Sequence, residues 1–251
     1  MIKQIQNKLE EIEKKENVKI IYAVESGSRA WGFESQDSDY DIRFIYVRPL
    51  EFYLRLDKTS EVIEWQLDNI FDINGWDIKK ACQLLYKSNP TLLEWCNSPI
   101  IYRIAPEFEH FRNISKQYFI GKSGLYHYLK MAKNHYAKYG QDEQIILKKY
   151  LYILRPILCC QWILEHNTNP PVRFETLLKY YFKGDLLEIV QKLIEEKKKM
   201  TEKDLIDKIE IIDSYINAQF KILNEQVENF RDIPNNNYDE INKLFLKYIK
   251  N

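Results

Sequence analysis

The residues with the clearest chemical potential lie in one stretch, Glu25-Ser26-Gly27-Ser28-Arg29-Ala30-Trp31-Gly32-Phe33-Glu34-Ser35-Gln36-Asp37-Ser38-Asp39-Tyr40-Asp41-Ile42-Arg43. Gly27 has no Cβ, so its backbone can turn sharply and approach a phosphate closely. Ser28 adds a hydroxyl donor beside backbone N–H groups, which suits an anion at the start of a helix. Asp39 and Asp41 are two apart, so on a strand their side chains leave the same face. Two carboxylates on one face repel unless a cation lies between them. Mg²⁺ takes one or two carboxylates plus phosphate oxygens and water. Two such ions about 3.5–4 Å apart clamp an in-line phosphoryl displacement. Alone, Gly-Ser is a common turn and Asp-x-Asp a common solvated strand end. The specific signal is their order: strand, Gly-Ser, short helical segment, then Asp-x-Asp entering an apolar strand. Arg29 and Arg43 flank the pattern. Arg43 follows Asp41 by two and shares its face, where it either pairs with an aspartate or touches a phosphate. Ser38 either caps a turn or hydrogen-bonds a carboxylate. Trp31 and Phe33 could wall a nucleotide site, but core packing is the simpler reading.

The elements that must hold these residues are legible in part. Ile2, Ile5, Leu9 and Ile12 have helical spacing, which predicts an amphipathic helix over 2–16. Val18–Val24 is a β-branched run and reads as a buried strand, and Tyr40–Val47 as a second one that Pro49 helps to end. Glu61–Trp65 and Ile70–Ile73 read as strands paired with each other. Asp77–Lys87 reads as a helix with Asp77 at its N-cap, and Asn89-Pro90 breaks it before a second short helix over Thr91–Cys96. Beyond about residue 106 strand signals vanish. Residues 107–138, 142–165, 174–182, 185–198, 202–230 and 238–250 fit helical patterns, broken at Gly121, Gly140, Asn169-Pro170-Pro171, Gly184 and Pro234. Strands mixed with helices, then helices alone, predict an α+β chain. An α/β domain with a small mixed sheet would occupy 1–115, and an all-helical domain 116–251.

Composition narrows the function classes. The 251 residues are 45% hydrophobic and 29% charged, an ordinary globular balance. Lys+Arg and Asp+Glu are both 37, so bulk charge does not drive nucleic-acid coating. The charge is unevenly placed: 116–183 holds 11 basic and 4 acidic residues, a net of +7. That segment is consistent with a polyanion-binding face, though charge varies along any chain. No stretch approaches 18 consecutive apolar residues, and the polar start lacks an apolar signal core. Four cysteines without a C-x-x-C pair suit a reducing compartment, so a cytoplasmic protein is expected. Cys159 and Cys160 read as buried hydrophobes, and Lys197-Lys198-Lys199 as a solvated helix end.

The segment Gly27–Val47 resembles the nucleotidyltransferase superfamily of DNA polymerase β, poly(A) polymerases and tRNA-nucleotidyl enzymes. Its pattern is Gly-Ser or Gly-Gly, about ten residues, then Asp-x-Asp or Asp-x-Glu. The run GSRAWGFESQDSDYDIRFIYV is similar to the YcgL-like branch, an RNA-ligase-associated, RNA-repair group. Residues 72–102 and 147–163 resemble the same branch, so the likeness covers roughly 18–180. It implies transfer of a nucleoside monophosphate from an NTP to a hydroxyl, with an RNA 3′ end, a tRNA's included, as the leading acceptor. A protein or small-molecule hydroxyl, or a non-catalytic nucleotide- or RNA-binding relative, are the alternatives. It further implies two Mg²⁺ (or Mn²⁺) ions held by Asp39, Asp41 and a third carboxylate from a later strand. Asp72 is the first choice for that role, with Asp68 and Glu64 as competitors. Gly27, Ser28, Arg29, Ser38 and Arg43 would line the nucleotide. From the helical half, Lys148, Tyr152 and Arg155 fall at i, i+4 and i+7, one helical face; the resemblance makes them phosphate and base contacts. Tyr126–Tyr139 interleaves Tyr and Lys. That suits a stacked single strand, but Tyr128, Ala132, Tyr136 and Tyr139 also make a good core stripe.

Overall fold

The structure is a computed structural model describing residues 1–199, 204–232 and 237–250. Helix α1 (Ile2–Glu16) buries Ile5, Leu9 and Ile12 and ends at Asn17, a left-handed residue with φ 50°. Strand β1 (Lys19–Glu25) follows, then the short α2 (Gly27–Trp31), β2 (Tyr40–Val47) and α3 (Leu50–Tyr53). Strands β3 (Val62–Leu67) and β4 (Phe71–Asp77) form the expected hairpin. Helix α4 (Ile78–Tyr86) is capped by Asp77, which accepts from the Lys79 N–H at 2.8 Å. Asn89 caps α5 (Pro90–Cys96) in the same way through the Leu92 N–H.

Strand β5 (Ile101–Ile104) escapes the sequence reading: it is four residues long, only partly buried, and defined by its pairing with β1. The sheet order is β3-β4-β2-β1-β5, with β2 and β4 parallel and the other pairs antiparallel, which makes it mixed as expected. Helix α1 covers a core of Ile20, Ile42, Phe44, Ile63 and Ile73. Tyr22 stacks on Phe108 at 4.3 Å, and Trp76 on Trp95 at 3.7 Å.

After α6 (Phe108–Ser115) and a 3₁₀ turn, the helical part comprises α7 (Gly121–Tyr139), α8 (Leu147–His166), α9 (Phe174–Tyr181), α10 (Gly184–Lys197) and α11 (Glu210–Asn229). The α+β class stands. The helical part also contains a two-stranded ribbon, β6 (Gln144–Ile146) with β7 (Leu205–Asp207). Three-residue strands are too short for a period-2 signal, so 142–146 and 204–209 read as helix extensions. The helical pattern expected over 107–138, with its break at Gly121, is interrupted between Ser115 and Gly121. Pro156 lies inside α8, which runs through it without ending. The Pro234 break and the start of the 202–230 helix fall outside the described residues. Helix α12 (Tyr238–Ile249) closes the chain. No helix among the described residues is long and apolar enough to cross a membrane.

Contacts divide the chain into two compact units: Met1–Ala30, Asp39–Tyr118 and Pro234–Asn251 in the first, Trp31–Ser38 and Phe119–Ile233 in the second. A single cut at 115 misses both exchanges. Tyr238 of α12 stacks on Tyr86 of α4 at 3.6 Å, and the Tyr118 hydroxyl donates to the Asn237 carbonyl, so α12 belongs with the sheet. Residues 31–38 belong with the helices: Phe33 is fully buried and meets Phe174 edge-on at 5.6 Å.

Candidate active site

The parallel pairing of β2 with β4 sets Asp41 directly opposite Asp72. Arg43, two residues along β2, donates to both: its Nη2 lies 2.7 Å from Asp41 Oδ1 and 2.6 Å from Asp72 Oδ2, while Nη1 donates to the Asp72 carbonyl at 2.7 Å. The three side chains are 13–26% exposed. Of the alternatives open for Arg43, the structure shows the ion pair. Asp68 instead caps its own turn, accepting from the Ile70 and Phe71 N–H groups at 2.8 Å. Glu64 is exposed on β3 and opposite Asn74. Asp72 is therefore the later carboxylate that stands beside Asp41.

Gly27 adopts φ +60°, and a Cβ there would lie 2.0 Å from Asp41 Oδ2. The Gly-Ser turn thus presses directly on the second aspartate of the Asp-x-Asp pair. The Ser26 N–H donates to the Asp41 carbonyl at 2.8 Å, which ties the turn to β2. Arg29 donates from Nε to the Asp39 carbonyl at 3.0 Å and lies over the Tyr40 ring at 3.8 Å. It braces the start of Asp-x-Asp through the backbone. Ser28 is buried at 4% exposure.

Burial raises the Asp41 carboxyl to about 6; Arg43 pulls it down, and the neighbouring Asp39 and Asp72 push it up. Behind it stands a residue the sequence reading missed. Glu25, the last residue of β1, is fully buried; its Oε1 accepts the Asp41 N–H at 2.7 Å, and its Oε2 accepts from the Tyr102 hydroxyl. Burial raises Glu25 to about 7, against the lowering effect of those two hydrogen bonds. The available signal was its place: an acid closing an otherwise apolar strand directly before Ser-Gly-Ser.

Ser38, Lys148, Tyr152 and Arg155, expected as nucleotide contacts, belong to the second unit. Ser38 is buried and serves a turn: its Oγ accepts the Ser35 N–H at 3.0 Å and pairs with the Ser35 hydroxyl. Arg155 is 1% exposed, lies 4.4 Å from the Trp31 ring and donates to the Val172 carbonyl. An i+7 cation was expected on an open face, but α8 is buried on nearly all sides along this stretch. Tyr152 is half-buried, edge-on to Trp31 at 5.3 Å and to His135 at 5.6 Å. Lys148 is half-buried, and the next residue, Lys149, is the one over the Tyr152 ring. Lys197 is also corrected: it is 2% exposed, and its Nζ donates to Ser35 Oγ at 3.2 Å. Lys198 and Lys199 are exposed, as expected. All four cysteines are buried.

Among the described residues, no three His, Cys, Asp or Glu side chains are gathered closely enough to hold a metal ion. The cation between Asp41 and Asp72 is the Arg43 guanidinium. The donor chemistry still suits a hard divalent ion, because Asp39, Asp41 and Asp72 offer only carboxylate oxygens.

Residues 1–247 match the model of the family described as "RNA repair pathway DNA polymerase beta family", RlaP. The chain is 39% identical to YcgL of Bacillus subtilis (strain 168), described as an uncharacterized protein, over 252 residues that span 100% of this chain and 97% of that one. A solved nucleotidyltransferase-like protein from Exiguobacterium sibiricum 255-15 aligns with 84% of this chain and 69% of its own, at 11% identity and a TM-score of 0.26. On the match across nearly its whole length, the chain belongs to the RNA repair pathway DNA polymerase beta family.

Proposed function

We propose that this protein transfers a nucleoside monophosphate from an NTP to the 3′-hydroxyl of an RNA and releases pyrophosphate. The observation that carries the reading is the Asp41–Arg43–Asp72 cluster across β2 and β4, with Gly27 against Asp41. Asp39, Asp41 and Asp72 would hold Mg²⁺. The metal would supply charge neutralisation at the phosphates and orient the oxygens of the in-line displacement. Asp72 would take the proton of the attacking hydroxyl. That oxygen forms a bond to the α-phosphorus as the bond to the pyrophosphate oxygen breaks. Gly27 and Ser28 would offer backbone N–H groups to the phosphates. Arg43 keeps two like-charged carboxylates on one face in the absence of metal. Catalysis would come from positioning and electrostatic stabilisation. The family's description as an RNA repair pathway supports an RNA acceptor, as does the net +7 of residues 116–183.

The test is incubation with each α-labelled NTP, Mg²⁺ or Mn²⁺, and total RNA, beside the Asp39→Asn/Asp41→Asn double variant. Label in RNA with the wild type alone supports the reading, and the preferred NTP names the base. Label on protein or on a small molecule moves the acceptor. Equal labelling by the double variant removes the aspartates from the mechanism.

A further inference from the structure

We infer that the solvent face of α7, continued by Lys149 of α8, is a binding track for single-stranded RNA. This rests on the RNA-acceptor reading above and assigns the surface that holds the strand.

Helix α7 separates the two readings that its sequence leaves entangled. Leu125, Tyr128, Leu129 and Ala132 are buried and form the core side. On the other side, Lys122, Tyr126, Lys130, Asn134 and Lys138 follow one another at i, i+4 intervals, which stacks them in one row. Lys122 is half-buried, and the other four are exposed, Tyr126 at 52%. The row runs about 24 Å at a rise of about 1.5 Å per residue, long enough for several nucleotides of an extended strand. A solvated helix face usually mixes both charge signs, as α11 does with Glu210, Asp213, Lys221, Glu225 and Glu228. All 19 residues of α7 lack an acidic group.

The end of the row adds an independent observation. Lys149 Nζ lies 4.4 Å from the Tyr139 ring centre, and Lys138 Nζ 5.1 Å. His135 stacks beside the same ring. Two ammonium groups therefore converge on one half-buried phenol, although like charges repel. The Tyr139 hydroxyl is pulled below its ordinary pKa by hydrogen bonding to Lys138 and by the charges of both lysines. His135 is also lowered, by burial and then by Lys149 and Lys138. The Tyr139 shift and the lysine part of the His135 shift follow from the positive charge of Lys138 and Lys149, the condition that draws a phosphate. Tyr126 lies in mid-row with Lys122 5.9 Å from its ring. Rings and ammonium groups in alternation match a polymer that alternates base and phosphate, where stacking is indifferent to sequence. A folded acidic protein would leave the exposed Tyr126 ring without a counterpart of that kind.

The experiment is fluorescence anisotropy of an end-labelled, unstructured single-stranded RNA against salt. The full chain is compared with Lys122→Ala/Lys130→Ala/Lys138→Ala, with Tyr126→Ala, and with Lys243→Ala/Lys247→Ala on the exposed side of α12 as control. Each phosphate contact removed lowers the log–log salt slope by about 0.7, so the triple variant should lose about 2 from the slope and bind at least about tenfold more weakly near 0.1 M salt. Tyr126→Ala should weaken binding by about tenfold with the slope unchanged. The control should match the wild type, and thermal melts should confirm that all variants are folded. Unchanged affinity and slope in the triple variant would overturn the inference, as would wild-type binding no tighter than that variant's. Loss in the triple variant with none in Tyr126→Ala would make the face a general polyanion surface and overturn the single-strand assignment. RNA labelling with an unaltered RNA KM in the triple variant would sink this track and leave the transfer reading intact. Loss of RNA binding without any RNA labelling by the wild type would do the reverse.

Discussion

Gly27→Ala tests the contact between the Gly-Ser turn and the Asp-x-Asp pair. The new Cβ would stand 2.0 Å from Asp41 Oδ2 and 2.9 Å from Cγ, whereas ordinary contact begins at 3.4 Å. The carboxylate must therefore retreat by about 1.4 Å, and rotating it away gives up the 2.7 Å hydrogen bond to Arg43. A misplacement of about 1 Å at a reacting group costs on the order of 100-fold, so kcat should fall by at least that factor. Alanine at φ +60° adds left-handed strain of about 1–2 kcal/mol, which in a chain of this size lowers Tm by about 2–8 °C. Gly184→Ala separates strain from clash: Gly184 has φ +55°, and a Cβ there meets nothing within 4 Å. It should lose a similar amount of Tm and keep its activity. The assay is nucleotidyl transfer under saturating NTP, with melts of both variants. If Gly27→Ala retains kcat within about threefold of wild type, or Gly184→Ala loses as much activity, the turn does not set the position of Asp41.

Glu25 and Asp41 hold protons more tightly in the folded chain than in the unfolded one, at about 7 and about 6. The folded state therefore binds more protons, and metal-free stability should fall as pH rises from about 4 to 7. In Asp41→Asn that slope in Tm should shrink, and the metal-free protein at pH 7.5 should melt no lower than wild type while losing transfer activity. A marked destabilisation would instead make Asp41 a structural ion-pair residue. Glu25→Gln keeps an oxygen for the Asp41 N–H and should retain most of kcat, whereas Glu25→Ala leaves that buried N–H unpaired at about 1–3 kcal/mol and should lower kcat by at least about tenfold; equal kcat values would remove Glu25 from the support of Asp41. Lys197→Ala should cost about 2–4 kcal/mol in urea melts because it strips a buried side chain from Ser35 and Phe33, while Lys198→Ala, in an exposed pair with Glu195, should stay within about 0.5 kcal/mol.

The sequence showed the site wherever local rules decide the structure, and hid it wherever distant packing decides. Tyr40–Val47 reads as a strand because its apolar run is bounded by turn residues, and Asp77 and Asn89 read as helix starts because capping is a local event. Arg155 and Lys197 misled because charge ordinarily predicts exposure. Both are buried against residues 31–38, which lie more than a hundred positions earlier in the chain. No local pattern announces that the segment between Gly27-Ser28 and Asp39 packs among helices rather than with the sheet. Glu25 stayed hidden for a related reason. An acid at a strand end usually faces water, and only the antiparallel neighbours β2 and β5 convert it into the acceptor for Asp41 and Tyr102.

The third carboxylate shows most sharply where sequence reasoning stops. Glu64, Asp68 and Asp72 recur at intervals of four through one hairpin, and each is an acid near a strand end. Composition ranks them equally, and resemblance alone favoured Asp72. What separates them is register. Asp68 spends its oxygens on the N–H groups of its own turn. Glu64 lies on β3, one strand beyond β4 from β2, so it has no place beside Asp41. Only the parallel alignment of β2 with β4 sets residue 72 opposite residue 41, with residue 43 reaching back to both. In a parallel ladder a slip of one residue would turn the Asp72 side chain to the other face of the sheet. The register of β4, fixed by the buried Phe71, Ile73 and Gly75 on its core face, is therefore what selects this carboxylate.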